Sequence, residues 1–320
     1  MSDFFCAADA DGCEASNPAK VTPVPTGNPG PTPDDIRARI HTVEKTFTPG
    51  RPISSLAELV GREASLRELL RVVASPGRHA FVVGGRGAGK TSMISCFLDC
   101  ASRAAPQITC VRMNCENSSF KAIWSKVLKR ILALQGRAPT QFDNVDLSRL
   151  DVEFELACVK SPLLLVFDDF DEVSNLEDLA KFANLIKVIC DNAVDAKLIL
   201  VGSPGAATLF KRAHISVQRH LQIIPLDELD PANVQEFLSD RWRQCGFEIM
   251  DDALSLAMEL SCGLPYSCQV IGKHAALLAL SHKRNVITVE DVAAATGQVD
   301  EHILLMSAIN SKQALNRRSD

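Results

Sequence analysis

Gly84-Gly85-Arg86-Gly87-Ala88-Gly89-Lys90-Thr91 fits the pattern G-x-x-x-x-G-K-[ST]. Before it, His79-Ala80-Phe81-Val82-Val83 reads as a short buried strand; after it, Ser92-Met93-Ile94-Ser95-Cys96-Phe97-Leu98 has the apolar spacing of a helix. Strand, glycine turn and helix in that order make a phosphate-binding loop. The glycines let backbone N–H groups close around phosphate oxygens, and the helix N-terminus adds its partial positive charge. The nucleotide contacts are therefore expected from Gly84 through Ser92, with Lys90 reaching the β- and γ-phosphates and the Thr91 hydroxyl ligating Mg²⁺.

A second run supports the first. Leu163-Leu164-Leu165-Val166-Phe167-Asp168-Asp169 is an apolar stretch ending in two carboxylates. Such a run is a buried parallel strand, and open α/β sheets bind ligands at the carboxyl ends of their strands. A buried carboxylate without a partner is costly, so the pair needs a reason, and a magnesium ion supplies one. Asp168 is the expected metal holder, directly or through water; Asp169 is expected to orient or deprotonate the attacking water.

At 320 residues the chain has room for about two domains, and with 46% hydrophobic residues it can bury a substantial core. A net charge of −5 argues against a broadly basic surface for nucleic acid, which leaves such binding unsupported, and 5% aromatic residues leave little for a stacking platform. The eleven cysteines are scattered without C-x-x-C pairs. Cys96, Cys110, Cys158 and Cys190 fall in apolar patterns and read as small core residues in a reducing compartment. Neither a membrane span nor a signal pattern is apparent, so the expected location is the cytoplasm.

Along the chain, Pro23, Pro25, Pro29, Pro31 and Pro33 interrupt any regular element, and residues 1–45 are expected to form a disordered tail. Residues 46–226 alternate strands and helices, which means an α/β fold with a mostly parallel sheet sandwiched by helices. Further strands are expected at Ile108 to Met113, Lys197 to Gly202 and Leu221 to Ile224, with helices over Phe120 to Leu134 and Leu176 to Cys190. After Asp227 strand signals stop. Asp230-Pro231, Asp251, Pro265 and Thr288 open four helices, giving a small all-helical lid over residues 227–297. Residues 298–320 hold a further helix and a tail.

These motifs in this order, with a helical lid behind them, resemble the AAA+ ATPases, with most likeness to bacterial ATP-binding proteins related to the origin-recognition and STAND branches. The resemblance runs from about Phe47 to Gly297. It also rests on Phe47-Thr48-Pro49-Gly50-Arg51-Pro52-Ile53, Val60-Gly61-Arg62-Glu63, Val201-Gly202-Ser203 and Gly263-Leu264-Pro265. It implies that Val60, Gly61 and Arg62 lie against adenine, that Ser203 senses the γ-phosphate, and that Pro265 sits near the base. Arg219, before the fifth strand, takes the place of an arginine that reaches into a neighbour's site, where a guanidinium stabilises charge on the transferring phosphoryl group. Two departures suggest that ATP is held longer than it is cut: the pair is Asp-Asp where many AAA+ enzymes have Asp-Glu, and Tyr266 stands where a lid arginine is usual.

The expected function is thus Mg-dependent ATP hydrolysis coupled to a switch acting on a protein partner or a second copy of the chain. A scaffold that binds ATP with little turnover is the alternative, and a kinase a weaker one for want of an arginine-rich lid. Segments N-K-x-D and L-S-G-G are absent, which disfavours a GTPase or a transporter subunit. An origin-type DNA binder would usually append a winged-helix domain after the lid; with few residues following Gly297, duplex binding by that route is not the expectation.

Overall fold

The computed structural model describes residues 33–116, 119–137, 147–213 and 215–299. They fall into two compact units, one of Arg51–Leu229 and the other of the described residues within Met1–Gly50 and Asp230–Asp320.

In chain order the first unit contains α2 (Glu63–Ala74), β1 (His79–Gly84), α3 (Lys90–Ala104), β2 (Thr109–Asn114), α4 (Phe120–Leu134), α5 (Arg149–Ala157), β3 (Leu163–Asp168), α6 (Leu176–Asp191), β4 (Ala196–Gly202), α7 (Pro204–Ala213) and β5 (Leu221–Leu226); α1 (Pro33–Thr46) precedes it in the second unit. The sheet is parallel throughout, in the order β2-β3-β4-β1-β5. β1, β3 and β4 are buried along their whole length, which is why Ala80–Val83, Leu163–Phe167 and Leu198–Val201 read as apolar runs, with His79, Asp168 and Lys197 as the buried polar residues at their ends.

Alternate side chains feed two cores. Phe81, Leu163, Leu165, Phe167, Leu198 and Leu200 face one side; Ala80, Val82, Leu164, Val166, Ile199 and Val201 face the other, toward Met93, Ile94 and Phe97 of α3. The first core holds a set of aromatic rings in edge contact. Phe170 lies 5.7 Å from Phe81, 5.2 Å from Phe182 and 5.4 Å from Phe210. Because Phe170 follows Asp169 directly, this packing anchors the turn that carries the acid pair.

Three helices of the first unit, α2, α5 and α7, have no counterpart among the expected elements. Helix α5 is short, and α7 follows β4 after a single residue. Cys96 is buried as expected, whereas Cys158 ends α5 in solvent and Cys110 and Cys190 are only half-buried.

The second unit contains α1, α8 (Pro231–Gln244), β6 (Glu248–Ile249), α9 (Asp251–Ser261), α10 (Pro265–Ser281), β7 (Val286–Ile287) and α11 (Val289–Ala295). The four helices after residue 230 stand where the caps predict them; Asp230 Oδ1 accepts from Asn233 N–H at 2.8 Å, and Thr288 and Asp291 form a reciprocal box. Strands β6 and β7 are a parallel pair of two residues each, too short to leave an alternating pattern.

The tail expected up to residue 45 is corrected at its end. Pro33 sits at the start of α1, where its missing N–H is harmless, and Asp34 and Asp35 in the first turn with Lys45 in the last suit the helix dipole. Arg39 then ties α1 to the helical unit: Nε donates to the Cys245 carbonyl at 3.3 Å, Nη2 to that of Gly246 at 3.0 Å, and the guanidinium lies 4.3 Å from the centre of the Phe247 ring. Phe47 is fully buried against Gly272, and Thr48 N–H donates to Gln269 Oε1 at 2.9 Å. Residues 1–32 and the C-terminal helix expected after residue 300 lie outside the described residues. Among the described residues no helix is long and apolar enough to cross a membrane.

Candidate nucleotide-binding site

The glycine turn joins β1 to α3 as its pattern requires. A Cβ on Gly84 would stand 3.0 Å from the Leu226 carbonyl oxygen and 3.1 Å from Ala88 Cβ, so the close approach of β5 demands glycine there. Gly87 and Gly89 have φ of 79° and 86°, the left-handed region that other residues avoid. Gly89 begins α3 without a side-chain cap, and the first turn of any helix leaves N–H groups without intrahelical partners. Lys90 folds over this turn, its Nζ donating to the carbonyls of Gly84 at 2.9 Å and Gly85 at 3.0 Å. Burial lowers its pKa; Asp171, Asp168 and Asp169 act in the opposite direction.

The acid pair reaches the same place from β3. The Thr91 hydroxyl donates to Asp168 Oδ2 at 3.4 Å, although the two residues are 77 positions apart. A hydroxyl and a carboxylate oxygen at that spacing are the hard donors that Mg²⁺ takes, so the residues fit the ion. Asp168 is buried and Asp169 exposed. Asp169 has φ of 51°, a left-handed conformation uncommon outside glycine, which turns its carboxylate away from the strand line. Loss of hydration on its inner side and the charge of Asp168 hold its pKa above the usual range, against the hydrogen bond it accepts from Asn114 Nδ2 at 3.1 Å.

Two residues of β2 are additions that the motifs do not contain. Asn114 holds Asp169, and Arg112 forms an ion pair with Asp168 Oδ2 while its Nη1 donates to Ser95 Oγ at 3.0 Å. Their only signal in the sequence is a polar alternation, Arg112 and Asn114, which on an edge strand such as β2 is ordinary and so points to no site.

The flanking residues are also placed. Arg62, expected at the base, is buried beneath the loop with Nη2 donating to the Ala88 carbonyl at 3.0 Å. Its Nε is buried with no hydrogen-bond partner among the described residues. Burial lowers its pKa, opposed by Asp227, Glu228 and Glu63. Gly61 turns the chain into α2 with φ of 65°, and Val60 beside it is half-buried. Ser92 Oγ accepts from Ile53 N–H at 3.3 Å, so this hydroxyl straps the preceding segment to α3. At the end of β4, Ser203 Oγ accepts from Ala206 N–H at 3.2 Å and caps α7, leaving its own proton to donate. The Ser203 N–H is held by both oxygens of Asp171, each at 3.0 Å. Arg86, at the tip of the loop, is exposed.

Arg219 precedes β5, at the amino end of the sheet, where the neighbouring His220 carbonyl accepts from His79 N–H at the start of β1. Its Nε donates to His220 Nε2 at 2.8 Å, and it lies across the sheet from the glycine turn of its own chain. Pro265 opens α10 in the other unit as its first residue.

A parallel sheet with a glycine turn after β1 and acids after β3 is the site of a P-loop nucleoside triphosphatase fold. Residues 58–201 match the family described as AAA ATPase domain. No curated protein sequence matches the chain. Among solved structures it is similar to the Drosophila origin recognition complex bound to DNA, with 16% identity over 89% of this chain and 70% of that one and a TM-score of 0.60. The Walker-type ATPase PABY2304 of Pyrococcus abyssi gives 19% identity, 86% and 80% coverage and a TM-score of 0.59. The Aeropyrum pernix ORC1 protein in complex with DNA gives 16%, 79%, 68% and 0.57. At these identities the likeness is one of fold.

Proposed function

We propose that the chain binds ATP with Mg²⁺ between the glycine turn and the acid pair, hydrolyses it, and uses the nucleotide state as a switch toward a protein partner or a second copy of itself. The observation that carries this reading is the convergence of Thr91 and Asp168, 3.4 Å apart, beside Lys90. Lys90 and the first-turn N–H groups of α3 bind and orient the phosphates. Thr91 and Asp168 hold the ion, whose part is to neutralise charge on the phosphoryl oxygens. Asp169, with its raised pKa, takes a proton from water more readily than an ordinary aspartate, and Asn114 fixes its direction. The unpaired Nε of Arg62 is a buried donor in want of an acceptor, which supports the placing of nucleotide against Val60, Gly61 and Arg62.

Arg219 belongs in this scheme only as a group supplied to a neighbour's site, because it stands at the far end of its own sheet. The test is ATP binding and phosphate release by the full chain, by Asp169→Asn and by Arg219→Ala. Both variants should bind ATP like the parent. Release should fall about hundredfold for Asp169→Asn, the usual worth of a positioned base, and fall for Arg219→Ala only at concentrations where the chain associates. A parent that binds ATP but releases no phosphate makes the chain a nucleotide-dependent scaffold; a parent that binds none removes the reading.

A further inference from the structure

Arg112 is an exposed cation on the edge strand β2 whose guanidinium turns inward to a buried carboxylate. On β2, Val111 joins the core beneath α4, and Cys110 packs on the opposite side toward α3. Alternation puts Arg112 on the α3 side. It pairs in register with Val166 while Asn114 pairs with Asp168, so the guanidinium reaches diagonally along the ladder to the acid. Its fork has two fixed ends: Nη2 on Asp168 Oδ2, and Nη1 on Ser95 Oγ, which itself donates to the Thr91 carbonyl at 2.8 Å. The carboxylate is nearly sealed, its side chain 6% exposed, and the arginine is 32% exposed. Asp168 Oδ2 is also the oxygen that faces the Thr91 hydroxyl.

One oxygen thus serves two claims, the guanidinium in this structure and the metal in the reading above, on which this inference rests. We propose that Arg112 is a built-in counter-cation that holds the magnesium carboxylate in a metal-free resting state, so that Mg²⁺ enters only together with nucleotide by displacing the guanidinium from Asp168. A buried carboxylate needs a positive partner at every stage. With Arg112 in place the carboxylate is already neutralised, and Mg²⁺ alone gains little there because a unit positive charge must first leave. The phosphates of the nucleotide supply the extra negative charge that makes the exchange favourable. Metal loading and nucleotide loading become one event.

The experiment is a Mg²⁺ titration of the full chain read in two ways: thermal unfolding without nucleotide, and binding of a fluorescent ATP analogue. The parent should unfold at the same temperature in EDTA and in millimolar Mg²⁺. Arg112→Gln should unfold earlier in EDTA, recover with Mg²⁺ alone, and bind the analogue with a Mg²⁺ midpoint about tenfold lower, the least that loss of a charged hydrogen-bonded competitor should give. Ser95→Ala frees one end of the fork without touching Asp168 and should lower the midpoint about threefold, so the test stands even where Arg112→Gln does not fold. An unchanged midpoint in the folded variant overturns the proposal, including the case where only stability falls, because that is what a purely structural ion pair would do. A parent that binds no analogue at any Mg²⁺ concentration instead sinks the nucleotide reading, and this inference with it.

Discussion

Replacing Lys90 by alanine separates the phosphate-binding role of the loop from its architecture. In this structure the ammonium group holds two carbonyls of its own turn, Gly84 at 2.9 Å and Gly85 at 3.0 Å, in a half-buried position. Water can take over both carbonyls once the side chain is gone, and alanine is the best helix former for the first position of α3, so stability should change by less than about 1 kcal/mol. Binding is another matter. Hydrogen bonds to charged groups are each worth about 1.5–3 kcal/mol, and a lysine between the β- and γ-phosphates makes one or two of them. Against this stands the loss of the two carbonyl bonds on reaching for phosphate, which water replaces at a cost below about 1 kcal/mol, so that two phosphate bonds leave a net of at least about 2 kcal/mol, or a rise in Kd of about 30-fold or more. Titration calorimetry with ATP and Mg²⁺, run beside thermal unfolding of the same samples, reads both numbers. A variant with unchanged melting temperature and a Kd within about threefold of the parent would refute the placing of triphosphate on this loop.

Two further predictions concern stability. His79 is buried at the start of β1, with Nδ1 accepting from Leu198 N–H at 3.0 Å and Nε2 3.2 Å from Cys190 Sγ, and burial, with Lys197 and His220, pushes its pKa down from 6.5 to about 3. Because the unfolded chain takes up this proton first, stability should fall as pH drops from 6.5 toward 3, by about 2 kcal/mol at pH 5; denaturant unfolding against pH should show the slope, flattened in His79→Asn, and an equal slope in both would remove the assignment. In the helical unit a Cβ on Gly272 would come within 2.8 Å of Phe47 Cζ and 2.9 Å of Cδ1, and the ring is fully buried. Gly272→Ala should therefore cost about 1–2 kcal/mol despite the better helix propensity of alanine, and Phe47→Leu should relieve it in a double-mutant cycle; a stabilised single variant would contradict the packing.

The strands were legible because burial on both faces writes an apolar run that no surface element shares: Leu163 to Phe167 is such a run and Leu198 to Val201, after Lys197, another, and each of these two expected strands agrees with the structure to within one residue. The lid helices were legible from their caps. What escaped were elements whose stability comes from distant partners. Helix α1 carries an exposed, charged sequence after five prolines, and its place depends on Arg39 meeting Cys245 and Gly246 and on Phe47 meeting Gly272, more than two hundred residues away. Strands β6 and β7 are held by one register of two residue pairs that neither segment announces alone.

The acid pair shows the same limit at the level of chemistry. Two carboxylates at the end of an apolar strand imply a positive partner by their cost alone, and magnesium is one solution to that constraint. The structure contains another, since Arg112 reaches Asp168 from a strand 56 residues earlier. Burial energetics thus identifies where positive charge is required and not which group provides it. Asp168 can satisfy the requirement twice over, by the guanidinium at rest and by the ion when nucleotide is bound, and a site with two solutions to one electrostatic constraint is a site that can exchange them. The tightness of that exchange, set by Ser95 holding the other end of the fork, is then a property of this chain's own β2 and α3, which the G-x-x-x-x-G-K-[ST] pattern and the aspartates do not encode.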